Sequence, residues 1–176
     1  MPYLQRAIDR PFGFMPAGGS QRLRAYNKDV AAARIFPGDV VMREADGNVA
    51  VITAGNETNI LGVSAEPSAN ATADTEVMVY DDPEQEFVCQ DDGAGGFFAQ
   101  TSEGLNADIV VTTGDTTLDR SQHELDISSA VTTIAPLKIV RLHPVETGFA
   151  TAAGSPRRVI VKFNPANHIY ATTAGI

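Results

Sequence analysis

Pro37-Gly38-Asp39-Val40-Val41, Ile60-Leu61-Gly62-Val63-Ser64-Ala65-Glu66 and Val77-Met78-Val79-Tyr80 decide how the chain is read. A Gly/Asp turn leads into an apolar strand. A second apolar strand ends in small residues, and after a polar loop a third strand follows. Short β-branched runs bounded by turn residues suit strands buried in a small barrel or sandwich. No reacting group lies in these runs, so they read as scaffold.

Outward from this stretch the same grammar continues. Ala45-Asp46-Gly47-Asn48 carries the Asp-Gly signal of a tight hairpin between Val40–Arg43 and Val49–Thr53. Glu76–Tyr80 and Glu86–Gln90 flank Asp81-Asp82-Pro83-Glu84, a turn with proline at a favoured position. Arg22–Tyr26, Ile109–Thr113, Val131–Ile134, Leu137–Leu142 and Val159–Phe163 supply further strands, while Gly114–His123 reads as a polar loop. Asp29 is placed to cap one helical turn before Ile35-Phe36-Pro37 ends it. The expectation is an all-β fold: a compact barrel or sandwich of short strands with long loops and little helix. It forms a single β-rich domain over 22–176, and no repeat of solenoid length interrupts it.

Residues 1–21 read as an extended N-terminal arm. Pro2, Pro11 and Pro16, with Gly13, Gly18 and Gly19, break any regular element. Phe12, Phe14 and Met15 nevertheless place three large apolar side chains in this segment. They need a groove, either on a neighbour or on the chain's own barrel. With Arg6 and Arg10, they are the candidate residues of a subunit-contact arm.

Charge is distributed unevenly. The net charge of −9 conceals a basic start, with seven Lys/Arg against three Asp over residues 1–43. Residues 44–119 hold sixteen Asp/Glu and no Lys or Arg. Residues 120–176 return to six basic against three acidic side chains. Such blocks suit contacts of complementary sign, or simply solvated loops. The acidic balance argues against nucleic acid, which requires a dense basic face. No stretch approaches the roughly 18 apolar residues of a membrane span, and the first residues lack the apolar run of a signal peptide. A soluble protein not exported by the general route is the expectation.

The chemistry-bearing side chains do not fall into a pattern. Cys89, the single cysteine, sits in Phe87-Val88-Cys89 beside Asp91 and Asp92. That setting suits a buried hydrophobe rather than a reactive thiol. Asp81, Asp82, Glu84, Glu86, Asp91 and Asp92 read as a solvated turn; a weak cation site is the alternative. His123, His143 and His168 lack the spacing of ligand pairs and read as surface or loop histidines. Ser121, His123 and Asp126 make a triad only on paper, because nothing resembles a nucleophile elbow. Gly93-Ala94-Gly95-Gly96 follows two Asp and lacks Lys, so it is no phosphate cradle. The reading therefore contains no catalytic residues, metal, cofactor or small-molecule substrate.

In order along the chain, Pro11-Phe12-Gly13-Phe14, Gly38-Asp39-Val40-Val41, Ile60–Glu66 and Val79–Phe87 with its Asp-Asp-Pro-Glu turn recur as a set. Gly104–Asp108, Glu124–Ser129 and Leu137–Leu142 follow. This set resembles the decoration or cement proteins of tailed-bacteriophage heads, over about Phe12 to Asn167. The resemblance implies a barrel-like body with a terminal arm, a homodimer or homotrimer, and docking on the major capsid protein at the capsid exterior after synthesis in the host cytoplasm. It implies no enzymatic activity, no cofactor, and neither nucleic acid nor membrane as partner. An adhesion or receptor-binding β-module on the virion surface is the alternative.

Overall fold

The computed structural model describes residues 9–18, 21–28, 32–68, 75–146, 148–150 and 152–172. In chain order the strands are β1 (Met15–Pro16), β2 (Leu23–Lys28), β3 (Val40–Arg43), β4 (Val49–Val51), β5 (Ile60–Ser64) and β6 (Thr75–Tyr80). They continue with β7 (Phe87–Gln90), β8 (Asn106–Val110), β9 (Glu124–Val131), β10 (Leu137–Leu142) and β11 (Arg158–Phe163). A short 3-10 turn spans Gln100–Ser102. The fold is all-β, as the strand grammar indicates.

β2-β4-β3-β5-β6 closes into a five-stranded barrel, and β1-β7-β11-β10-β8-β9 forms a six-stranded sheet. This sheet also curls back on itself: Asp91, just past β7, makes a parallel bridge to Leu125 of β9. The Asp92 amide donates to the Leu125 carbonyl at 2.9 Å.

Strand alternation explains how the barrel and the sheet join. Val41 and Leu61 point into the barrel with Ile35, Val49, Val77 and Val79. Val40, Ile60 and Val63 instead join Phe87, Leu137, Val161 and Phe163 in the sheet's core. Thus β3 and β5 are apolar on both faces, which accounts for the near-continuous apolar runs. Every residue of β5 is buried. At Gly62, a Cβ would lie 1.9 Å from the Tyr80 carbonyl oxygen, so the backbones of β5 and β6 meet where no side chain fits. The segment after β11 adds to the start of β5: the Ile60 amide donates to Asn167 O at 2.8 Å, and the Ile169 amide donates to Ile60 O at 2.9 Å.

Several local expectations are corrected. Residues 32–34 are not helical; Asp29, the expected cap, lies outside the described residues. The strand expected at Val131–Ile134 instead ends at Val131 and begins at Glu124. The next strand inward begins at Asn106 rather than Ile109. Residues 9–18, read as an arm, lie on the chain's own sheet. Met15 pairs with Val88 and Pro16 with Phe87. The Phe14 amide donates to Gly38 O at 3.0 Å and the Ala17 amide to Glu86 O at 2.9 Å. Phe14 is 1% exposed, and its ring lies 6.3 Å from that of Phe163. It is a core residue, not a partner contact. Arg6 lies outside the described residues.

Phe14→Ala is expected to cost about 3–5 kcal/mol, as for an aromatic removed from a packed core. Met15→Ala, one residue on and exposed, is expected to cost less than about 1 kcal/mol. Urea unfolding of the two variants checks this. Equal, small losses would mean that the segment does not belong to the core.

Candidate docking face

Phe14 points inward, and Met15, the next residue along the extended segment, points outward. Met15 pairs directly with Val88 on the outer face of β7, and Phe12 lies beside them. Together with Pro16, His143 and Arg158 these residues line a cavity of about 350 Å³. Its walls are apolar and its rim carries a guanidinium and an imidazole. Met15 and Val145 are both more than half exposed. The His143 Nδ1 accepts the Val145 amide at 3.2 Å, which leaves Nε2 on the other side of the ring.

The far end of the segment is held by Gln90, which follows Val88 on the same face of β7. Its side-chain Oε1 accepts the Arg10 amide at 3.3 Å. Its Nε2 donates to Asp9 Oδ1 at 2.8 Å and to Glu124 Oε1 at 3.0 Å. One amide thus ties the segment to β7 and β9. Burial, then the neighbouring Asp9 charge, pushes Glu124 up to about 7. Of the expected contact residues, the structure places Phe12 and Met15 on this groove and Arg10 at its clasp; Phe14 lies beneath it.

Several of the other chemistry-bearing groups hold the fold. The expectation of a solvated acidic turn fails at two positions, because Asp81 and Asp91 are both 0% exposed. Asp81 Oδ1 accepts Arg22 Nε at 2.6 Å and Oδ2 accepts the Tyr26 hydroxyl at 2.6 Å. Arg24 Nε stands 3.4 Å away. The guanidiniums of Arg22 and Arg24 lie over the Tyr170 ring. Burial and the Asp81 hydrogen bond push the Tyr26 hydroxyl pKa well up. Asp91 accepts the amides of Gly93 and Arg157 at 2.9 and 3.1 Å. Glu84 is solvent-facing and pairs with Lys162 at 3.2 Å. The basic partners of the turn come from residues distant in the chain, which is why local sequence does not reveal them.

Two of the three histidines are also buried, contrary to expectation: His123 is 1% exposed and His168 0%. His123 Nδ1 accepts the Val40 amide at 3.2 Å, so the proton sits on Nε2, 3.7 Å from Asp39 Oδ1. Ser121 Oγ accepts the His123 amide at 3.1 Å and bonds the Asp39 carboxylate. Asp39 Oδ2 accepts the Phe36 amide at 2.8 Å. Both ring nitrogens face structural partners rather than the serine, and the cluster is closed to solvent. It pins the Gly38 turn to the loop before β9. Asp126 takes no part, since its Oδ1 accepts the Ser128 amide at 2.9 Å. His168 packs at a tilt between the rings of Phe163 and Tyr170; burial lowers both histidines to about 4. Cys89 is buried, as its apolar setting indicates. Among the described residues, no three His, Cys, Asp or Glu side chains are arranged to hold a metal ion.

Comparison of the chain with protein-family profiles, curated proteins and solved structures finds no match.

Asp39→Asn separates ionisation from packing at the Gly38 turn. Burial raises Asp39 from 3.8 to about 6. Its contribution to stability is therefore complete below about pH 4 and lost as pH rises through 6. Between pH 4 and pH 8 the stability difference is expected to move towards the variant by up to about 3 kcal/mol. Asp81→Asn is instead expected to destabilise by about 2–4 kcal/mol at neutral pH, because two guanidiniums lose their carboxylate. Denaturant titrations at the two pH values check both; an unchanged Asp81→Asn protein would remove that cluster from the fold's supports.

Proposed function

We propose that this chain is a structural protein of a tailed-bacteriophage virion, a decoration or cement protein on the outer surface of the head. It bridges subunits of the major capsid protein and stabilises the shell as a homodimer or homotrimer. The family resemblance gives this reading its direction. The observation that carries it is the outer-face groove of Phe12, Met15, Pro16, Val88, His143 and Arg158. The chain's own core does not fill it, and Arg158 sets a guanidinium at its rim.

Physical considerations support a docking role. An apolar floor supplies desolvation energy, and a charged rim selects register and partner. The groove is too small to be a whole interface, which normally buries about 1,200–2,000 Å². It serves as an anchor point within a wider contact. On a symmetric shell, many copies of a modest contact add up through avidity. Function on this reading lies in the displayed surface and needs no catalytic group.

The test is co-sedimentation of the protein with heads. Stoichiometric binding is expected, and absence from purified particles overturns the proposal. Met15→Asp and Arg158→Glu, both surface changes, should each weaken head binding by about tenfold or more while leaving the thermal unfolding midpoint within a few degrees. Undiminished binding by both variants would move the contact away from this groove.

A further inference from the structure

We propose that the Asp9–Gln90–Glu124 clasp is a proton-operated latch, which seats residues 9–12 over the groove when Glu124 is protonated and releases them when it ionises. Two carboxylates share a single amide group here, at 2.8 and 3.0 Å. With both ionised, Gln90 must hold two like charges together in a half-buried seam. With Glu124 protonated, the repulsion is gone and the hydrogen bonds remain. The latch is one-sided because the segment beyond it is fixed. Phe14 is buried in the core, and Gly13, at φ +72° and packed against Ser121 and Gly38, provides the turn about which residues 9–12 swing. Phe12 is a wall of the groove, so release alters the groove's shape while the core stays intact.

The charges around Glu124 favour this behaviour. Asp9 faces it from the N-terminal segment, and Asp92 and Asp91 face it from the end of β7. Asp126 follows on its own strand, and Cys89 lies buried beneath. Its partner on β8 is Val110, which is uncharged. The basic neighbours are Arg10, beside Asp9 on the clasped segment, Arg158, across from Gln90 on β11, and Arg157, whose Nε is turned to the Gly148 carbonyl. Burial and these anions raise Glu124 from 4.5 to about 7. The part of this rise that comes from Asp9 and the covering segment stabilises the seated state at low pH and is lost as pH rises through 7. Release therefore belongs to the neutral-to-alkaline side.

The consequence for binding rests on the docking reading above; the latch does not. Nitrogen-15 NMR of the whole protein between about pH 5.5 and 8.5 reads the latch directly. The Arg10 amide and the Gln90 side-chain amide should lose protection by up to about tenfold per pH unit above 7, after correction for the chemical exchange rate. The Phe14 amide should not change. Glu124→Gln should keep the clasp shut across the range, and Asp9→Asn should move the transition to lower pH. Flat Arg10 and Gln90 signals in the native protein overturn the latch, as does a native-like transition in Glu124→Gln. If Glu124→Gln fails to fold, Asp9→Asn decides instead: an unshifted transition in that variant overturns the latch. Head binding at pH 6 and pH 8 then links the two: the native protein should change affinity between them and Glu124→Gln should not. Heads that bind neither protein at either pH would refute the docking role and leave the NMR result to decide the latch.

Discussion

Burial of β3 and β5 on both faces is the constraint from which the rest of the architecture follows. A strand in a small barrel normally shows one face to solvent. Here Val40 and Val41, adjacent in sequence, are both 0% exposed because one enters the barrel and the other enters the sheet. The barrel and the six-stranded sheet therefore share a wall, and neither can be displaced without exposing the other's core. At roughly 25 cal/mol per Å² of apolar surface, burying one such valine stabilises by about 1.5–3 kcal/mol. Close approach is part of the same constraint. Gly62 lets the β5 backbone come against Tyr80, and the next residues, Asp81 and Asp82, begin the turn that carries the chain from barrel to sheet.

A shared wall creates seams, and the seams are where buried polar groups collect. At each one the chain leaves a strand, so backbone amides lose their ladder partners and need acceptors. Carboxylates supply them: Asp39 at the Gly38 turn, Asp91 and Asp92 where β7 meets β9. Each is raised by burial, so desolvation outweighs the hydrogen bonds that favour ionisation. Asp81 instead meets side chains, with Arg22 and Arg24 beside it as countercharges. Acidic residues thus do two jobs in this chain. Some solvate loops of the middle block, as Glu84 does, and others complete the backbone hydrogen bonding of the junctions.

What could be read in the sequence and what could not divide along the same line. Strands whose apolar pattern is local, such as Val40–Arg43, Ile60–Ser64 and Leu137–Leu142, were legible within a residue or so. β9 was not, although Leu125 and Ile127 alternate with polar neighbours; serines and carboxylates masked the period. The burial of Asp81, His123 and His168 was illegible for a different reason. Their partners, respectively Arg22, the Val40 amide and the Ile60 strand, are distant in the chain and are brought near only by the closed topology. The groove was half legible. Phe12, Phe14 and Met15 announced that the first residues needed an apolar seat. The alternation that sends Phe14 inward and Met15 outward becomes visible only once Met15 is paired with Val88.

That alternation bears on how an N-terminal segment can be both structural and functional. An arm free to reach a neighbour would lose the entropy of its ordering at the moment of binding. A segment already sewn to β7, with Phe14 in the core, has undergone that loss during folding and presents Met15 in a fixed position, with Phe12 beside it while the clasp is shut. Preorganisation of this kind raises affinity without adding contacts. It also explains why the tie at Gln90 is polar while the tie at Phe14 is apolar. Phe14 holds the segment under all conditions in which the protein is folded. The Asp9–Gln90–Glu124 contact, in which burial raises Glu124 to about 7, holds only the outer residues, so on the latch reading the groove can change while the fold does not.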